Sequence, residues 1–162
     1  MIRRLVVAVL LFAALPAQAQ FWIAQTEWVG RYPFDKIKGR TLFASKPLSA
    51  TLRGRLGAAR AAFIQGLAVE LPVAQVGDLL VVQKCRAHAC PDANMAILMD
   101  VVRGDFDVCL WRPFAKGRFE RRWYLTGSDK PIIERVDADT NVPNCFQGAP
   151  KDLIAVRDAL LR

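Results

Sequence analysis

LLVVQKCRAHACPDANMAILMDVVRGDFDVCLW, residues 79–111, sets three apolar runs around two short polar breaks. Leu79 to Gln83 is rich in valine, Met95 to Val102 forms a second run, and Phe106 to Trp111 a third. Short runs of valine, isoleucine and aromatic residues bounded by Gly, Asp and Pro are the pattern of strands joined by tight connections. Upstream, Val76-Gly77-Asp78 is a turn. Downstream, Arg118 to Thr126 (RFERRWYLT) gives a fourth run ahead of Gly127-Ser128-Asp129, and Pro131 to Val136 (PIIERV) a fifth. The pattern predicts an antiparallel meander, with the stretch from Val81 to Met95 connecting its first two clear strands as a hairpin loop.

Phe21 to Gly39 is aromatic-rich and broken by Gly30 and Pro33, so it is expected to pack irregularly on the domain. From Ser49 the period turns helical: Leu52, Leu56, Ala59 and Phe63 share one face, Ser49 can cap the start and Gly66 the end. Gly54 and Gly57 each weaken such a helix by about 1 kcal/mol relative to alanine, so tertiary packing must hold it. Pro150-Lys151-Asp152 opens a short amphipathic helix through Leu153, Val156 and Leu160. The expected fold class is therefore α+β: a central twisted antiparallel sheet of about five strands with one long and one short helix, and a protruding disulfide-closed loop.

The chain opens with MIRRLVVAVLLFAALPAQAQ: two arginines, an apolar run from Leu5 to Leu15, and the small-residue site Ala17-Gln18-Ala19. That order is a secretory signal peptide, and its apolar run is too short to span a bilayer. Residues 1–19 are expected to be removed, leaving 20–162 as one domain with a basic segment 31–60, a sheet core about 70–136, and a tail and helix 137–162. The expected location is periplasmic or secreted, without a transmembrane anchor.

An oxidising compartment turns Cys85, Cys90, Cys109 and Cys145 into candidates for two disulfides. Three connectivities exist, and Cys85–Cys90 with Cys109–Cys145 is preferred. A ring of about six residues stabilises the fold by only about 2 kcal/mol in the loop-entropy model, so its value lies in the shape it fixes. The formal charge of +8 is uneven. Arg31, Lys36, Lys38, Arg40, Lys46, Arg53, Arg55 and Arg60 stand against Asp35 alone, whereas from Ala61 onward basic and acidic residues balance. The basic segment suits an anionic surface or a solvated helix face.

His88, the one histidine of the chain, lies between Cys85 and Cys90. Zinc would need a fourth ligand and a different spacing, so no metal is expected there. A thiol–histidine catalytic pair would need a free thiolate, and C-x₄-C is not the C-x-x-C redox spacing. No Gly-rich phosphate loop appears, and no cofactor or nucleic acid is expected. Catalytic residues are expected to be none: the chain is read as no enzyme. A rigid, exposed tip instead lowers the entropy cost of insertion into a partner's cleft.

Cys85-Arg86-Ala87-His88-Ala89-Cys90 resembles the C-K-P-H-D-C loop of the Ivy family, inhibitors of vertebrate lysozyme. Val76-Gly77-Asp78 before the loop, Met95-Ala96-Ile97 after it and Arg122-Trp123-Tyr124-Leu125 further on are similar to the family's pattern. The resemblance covers roughly residues 50 to 136 and implies a loop that plugs a lysozyme active site, with the contact to the two catalytic carboxylates falling on His88. Imidazole has two ring nitrogens and titrates near pH 6.5, so it can bridge a protonated and an ionised carboxyl group. Three positions depart from the family's loop. Arg86 replaces lysine, Ala87 replaces a stiffening proline, and Ala89 replaces an acid that would meet a basic partner. A c-type lysozyme or a bacterial lytic transglycosylase is the expected protein partner.

The alternative is a module of the cell envelope for an anionic polymer, peptidoglycan or lipopolysaccharide. WRPFAKGRFERRWY, residues 111–124, interleaves Arg112, Lys116, Arg118, Arg121 and Arg122 with five aromatics, as glycan-contacting surfaces do. Strand alternation offers a plainer account, with aromatics turned inward and arginines outward.

Overall fold

The computed structural model describes residues 24–138, 144–146 and 148–162. The expected leader at 1–19 and the start of the expected mature chain lie outside them. Among the described residues, seven strands form one open antiparallel sheet: β1 (Val69–Glu70), β2 (Ala74–Val76), β3 (Leu79–Cys85), β4 (Asn94–Asp100), β5 (Asp105–Ala115), β6 (Arg118–Tyr124) and β7 (Ile132–Asp137). Their order is β1–β3–β4–β5–β6–β7, with β2 also on β3. The helices are α1 (Lys46–Leu56), α2 (Ala58–Gly66) and α3 (Pro150–Leu160). This corrects the expected sheet of about five strands with one long and one short helix.

The helix count differs because of Gly57. Its φ of 81° and ψ of 159° stop α1, yet its carbonyl accepts from Ala61 N at 3.1 Å and opens α2. A residue with a Cβ would be strained at that φ. The buried positions tell the same story: Leu48, Leu52 and Leu56 line α1, then Ala61 and Ile64 line α2, a jump of five that no single helix face allows. Ser49 is not the cap. α1 starts at Lys46 with Pro47 in its first turn, and the Ser49 hydroxyl donates to the Lys46 carbonyl at 3.1 Å.

The two extra strands are one edge segment interrupted at Pro72. Val69 and Glu70 pair with Cys85 and Lys84, and Leu71 N still donates to Gln83 O at 3.1 Å. Proline has no N–H to give the ladder. Val73 turns away to exchange bonds with the N-terminal segment (Val73 N to Arg31 O, Gly30 N to Val73 O, both 2.8 Å), and pairing with β3 resumes at Ala74.

Both faces of the sheet are covered, so β3 and β4 read as continuous apolar runs instead of alternating ones. On one face Leu80, Val82, Ile97, Met99 and Val108 meet Leu42, Leu48, Leu52, Leu56 and Ile64. On the other, Val81, Ala96, Leu98, Cys109 and Trp123 meet Cys145 and Leu153 of the tail and α3. Each fully buried leucine contributes about 1.5–3 kcal/mol. Two polar links tie the layers. The Gln83 amide donates to the carbonyls of Cys145 and Phe146 at 3.3 and 3.2 Å. Asp107, buried at the far end of β5, accepts from Thr126 N at 2.6 Å and pairs with Arg157 of α3 at 3.1 Å and Arg55 of α1 at 4.0 Å.

Candidate inhibitory loop

The cross-sheet row Cys85–Asn94–Trp111–Arg121–Glu134 marks one end of the sheet. The β3–β4 connection, residues 86–93, leaves from this row and is held from several sides. Cys85 and Cys90 form a disulfide, with Cα atoms 4.8 Å apart. Arg86 N donates to Ala93 O at 2.8 Å, closing the neck. Within the ring, Ala89 N donates to Arg86 O at 3.1 Å, making a turn with His88 at its third position.

His88 has φ of 59°, in the left-handed region. Its turn carries the φ signs of a type II turn, which favours glycine or asparagine there. A histidine at that position costs about 1 kcal/mol relative to glycine, strain of the kind that clusters at functional tips. Arg86, Ala87 and His88 are exposed, while Ala89 and Cys90 are half-buried. The ring therefore presents Arg86, Ala87 and His88 together to solvent.

Two residues that sequence reasoning passed over hold the loop from behind. Asn94, fully buried, donates its Nδ2 to Cys90 O at 2.6 Å. Trp111 donates its indole N–H to Pro91 O at 2.8 Å and stacks on Phe119 with ring centroids 5.2 Å apart. In the sequence Asn94 is a loop residue just before the run that starts at Met95, and Trp111 is one of five aromatics in residues 111–124. Their shared signal is place: both lie on the row where the loop departs. Beneath the loop, Lys84 pairs with Glu70 at 2.9 Å, both side chains buried, and lies 4.7 Å from the Phe43 ring centroid. That closes the local charge at the base and leaves Arg86 as the cation of the tip, with Asp92 exposed nearby.

The residues proposed for anionic surfaces are divided by the strand pleat. Arg112, Arg118 and Arg122 share a face around Glu120, which Arg112 Nη2 approaches at 3.2 Å and Arg135 Nε at 3.7 Å, with Arg122 Nε donating to the same carboxylate. The Arg122 bond, then that of Arg112, holds the Glu120 carboxyl below the usual glutamate range against burial, and Arg122 is raised in return. Arg121 lies on the opposite face, buried and paired with Glu134 at 2.6 Å. Lys116 is exposed in the β5–β6 turn. The second disulfide, Cys109–Cys145, ties mid-β5 to the tail on the face away from Arg112, Arg118 and Arg122.

Among the described residues there is no cluster of histidine, cysteine and acidic groups that could hold a metal, and no helix long and apolar enough to cross a membrane. A family model described as inhibitor of vertebrate lysozyme (Ivy) matches residues 47–121. That span runs from α1 through the His88 loop into β6. No curated protein and no solved structure matches the chain. The match supports a lysozyme-inhibitory role in general, exercised on a protein partner and without catalysis by this chain.

Proposed function

We propose, for a chain whose residues 47–121 match the family model of the inhibitor of vertebrate lysozyme (Ivy), that the Cys85–Cys90 ring is the part that enters the target. The target is a peptidoglycan-cleaving glycosidase, a c-type lysozyme or a lytic transglycosylase, met in the periplasm or outside the cell. The observation that carries this is His88 itself: exposed, at the tip of a disulfide-closed turn, in a strained backbone conformation fixed by the ring. Such a tip gives up little conformational freedom on docking.

The chemistry follows from the two groups a retaining glycosidase must keep apart, a protonated carboxylic acid and an ionised carboxylate. The two ring nitrogens of His88 can each reach one of them. A protonated imidazole donates to both, and charge-assisted bonds in a cleft emptied of water are about twice as strong as neutral ones. Arg86 lies three turn positions before Ala89 and can add a bidentate bond to a cleft carboxylate, a geometry lysine cannot make. Ala87 and Ala89 make the tip narrow and remove any acid from it.

The test is an inhibition titration of lysozymes and lytic transglycosylases with the mature protein and with His88→Ala. Loss of inhibition by about a hundredfold or more in the variant, with an unchanged melting temperature, supports loop insertion. Equal inhibition by the two proteins across the panel would sink it.

A further inference from the structure

The β5–β6 hairpin projects from the same end of the sheet as the His88 loop. β5 runs on past Trp111 to Ala115 before β6 returns at Arg118, and Trp111 bonds the loop's Pro91. A partner seated on the loop approaches the end of the sheet from which this hairpin also projects.

What the hairpin shows is positive. Arg112, Lys116 and Arg118, with Arg135 across on β7, stand against Glu120 and Asp137. Glu120 is fully buried beneath Arg112, Arg122 and Arg135, so its charge is spent inward. One carboxylate has about four lone-pair sites, while three guanidiniums carry roughly fifteen N–H donors. Arg112 and Arg135 are about half exposed and keep donors toward solvent, whereas Arg122 is turned inward to Glu120 and Tyr124. At their centre Phe114 is 44% exposed, with the Arg135 guanidinium 4.1 Å and that of Arg118 6.0 Å from its ring centroid. An exposed aromatic ringed by arginines is the composition of an interface anchor. A polymer track would spread its cations along a path, whereas Arg118 and Arg135 gather around one ring.

Resting on the loop-insertion reading, we propose that the β5–β6 hairpin is a second contact with the target enzyme. It selects muramidases with an acidic cleft rim over strongly basic ones. Rim charges of this kind act on association rate and its salt dependence more than on final affinity.

The probes are a basic c-type lysozyme and the same lysozyme succinylated on its lysines, which turns rim ammonium groups into carboxylates and leaves the catalytic pair. Association rates are measured for the wild type, Lys116→Glu/Arg118→Glu and Phe114→Ala between about 20 and 300 mM salt. Wild type should bind the succinylated form about tenfold faster than the native form at low salt, with the ratio shrinking as salt rises. The double variant should reverse that preference, and Phe114→Ala should weaken binding to both forms. Rates that agree within about twofold for wild type and double variant on both lysozymes would overturn the proposal. So would a failure to bind either form, or a charge effect confined to pelleting with peptidoglycan. A His88→Ala arm separates the two readings: full inhibition by that variant rejects loop insertion while leaving the hairpin's charge effect to be judged on its own rates.

Discussion

The β3–β4 and β5–β6 connections leave the same end of one sheet and are held in opposite ways. The first is a ring closed by a disulfide, by Arg86–Ala93 and by two side chains from neighbouring strands, Asn94 and Trp111. The second is a strand pair with a register shift between Pro113 and Ala115, exposed from Arg112 to Arg118, its charges gathered over one buried carboxylate. Rigidity in the first suits insertion, where ordering costs would otherwise fall on the complex. Excess charge in the second suits steering, where exact geometry matters less than sign.

That contrast can be broken in order of effect. The largest change in stability belongs to Glu120. Glu120→Gln leaves Arg112, Arg122 and Arg135 without their shared carboxylate and should cost about 3 kcal/mol, the low end for a buried ion pair because Arg112 and Arg135 can turn to water. Since the folded-state carboxyl is held below its ordinary range, its contribution is complete above about pH 4.3 and is lost as pH falls through the folded value. Denaturant melts from pH 6 to 2 should show the wild type losing more stability than the variant as pH falls through that acid window. Parallel curves would mean the arginines do not depend on Glu120.

Opening the ring comes next. Cys85→Ser/Cys90→Ser should lower stability by about 2 kcal/mol and weaken inhibition about tenfold, through entropy restored to the tip. If inhibition is unchanged while stability falls, the disulfide serves the fold and not the insertion. Trp111→Phe is subtler: it keeps the stack on Phe119 and deletes one indole bond to Pro91, costing about 1 kcal/mol and a few-fold in inhibition. Together the two variants sort covalent from hydrogen-bonded support of the same loop.

What could be read in advance followed from how each part is determined. β3 to β7 are apolar runs between Gly- and Asp-containing breaks, and periodicity suffices to find them. β1 and β2 are two and three residues long, half-exposed and separated by Pro72, so nothing in their composition distinguishes them from loop. The break at Gly57 was visible only as a five-residue jump between Leu56 and Ala61, hidden because Ala59 and Phe63 continue the helical period. The place of the His88 loop on the chain was legible from its cysteines. Its support was not, because Asn94 and Trp111 reach it across strands, and register is a tertiary fact. The same holds for Arg121 and Arg122: adjacent in sequence, they part to opposite faces, one into an ion pair with Glu134 and one into the Glu120 cluster.

The central claim is that one exposed imidazole, held in a strained turn by a rigid ring, does the inhibiting. Inhibition constants and melting curves of the wild type and His88→Ala, measured side by side on a c-type lysozyme and a lytic transglycosylase, test it most directly. His88→Ala should inhibit the target at least about a hundredfold more weakly, with stability changed by less than about 1 kcal/mol. Undiminished inhibition by His88→Ala would contradict it.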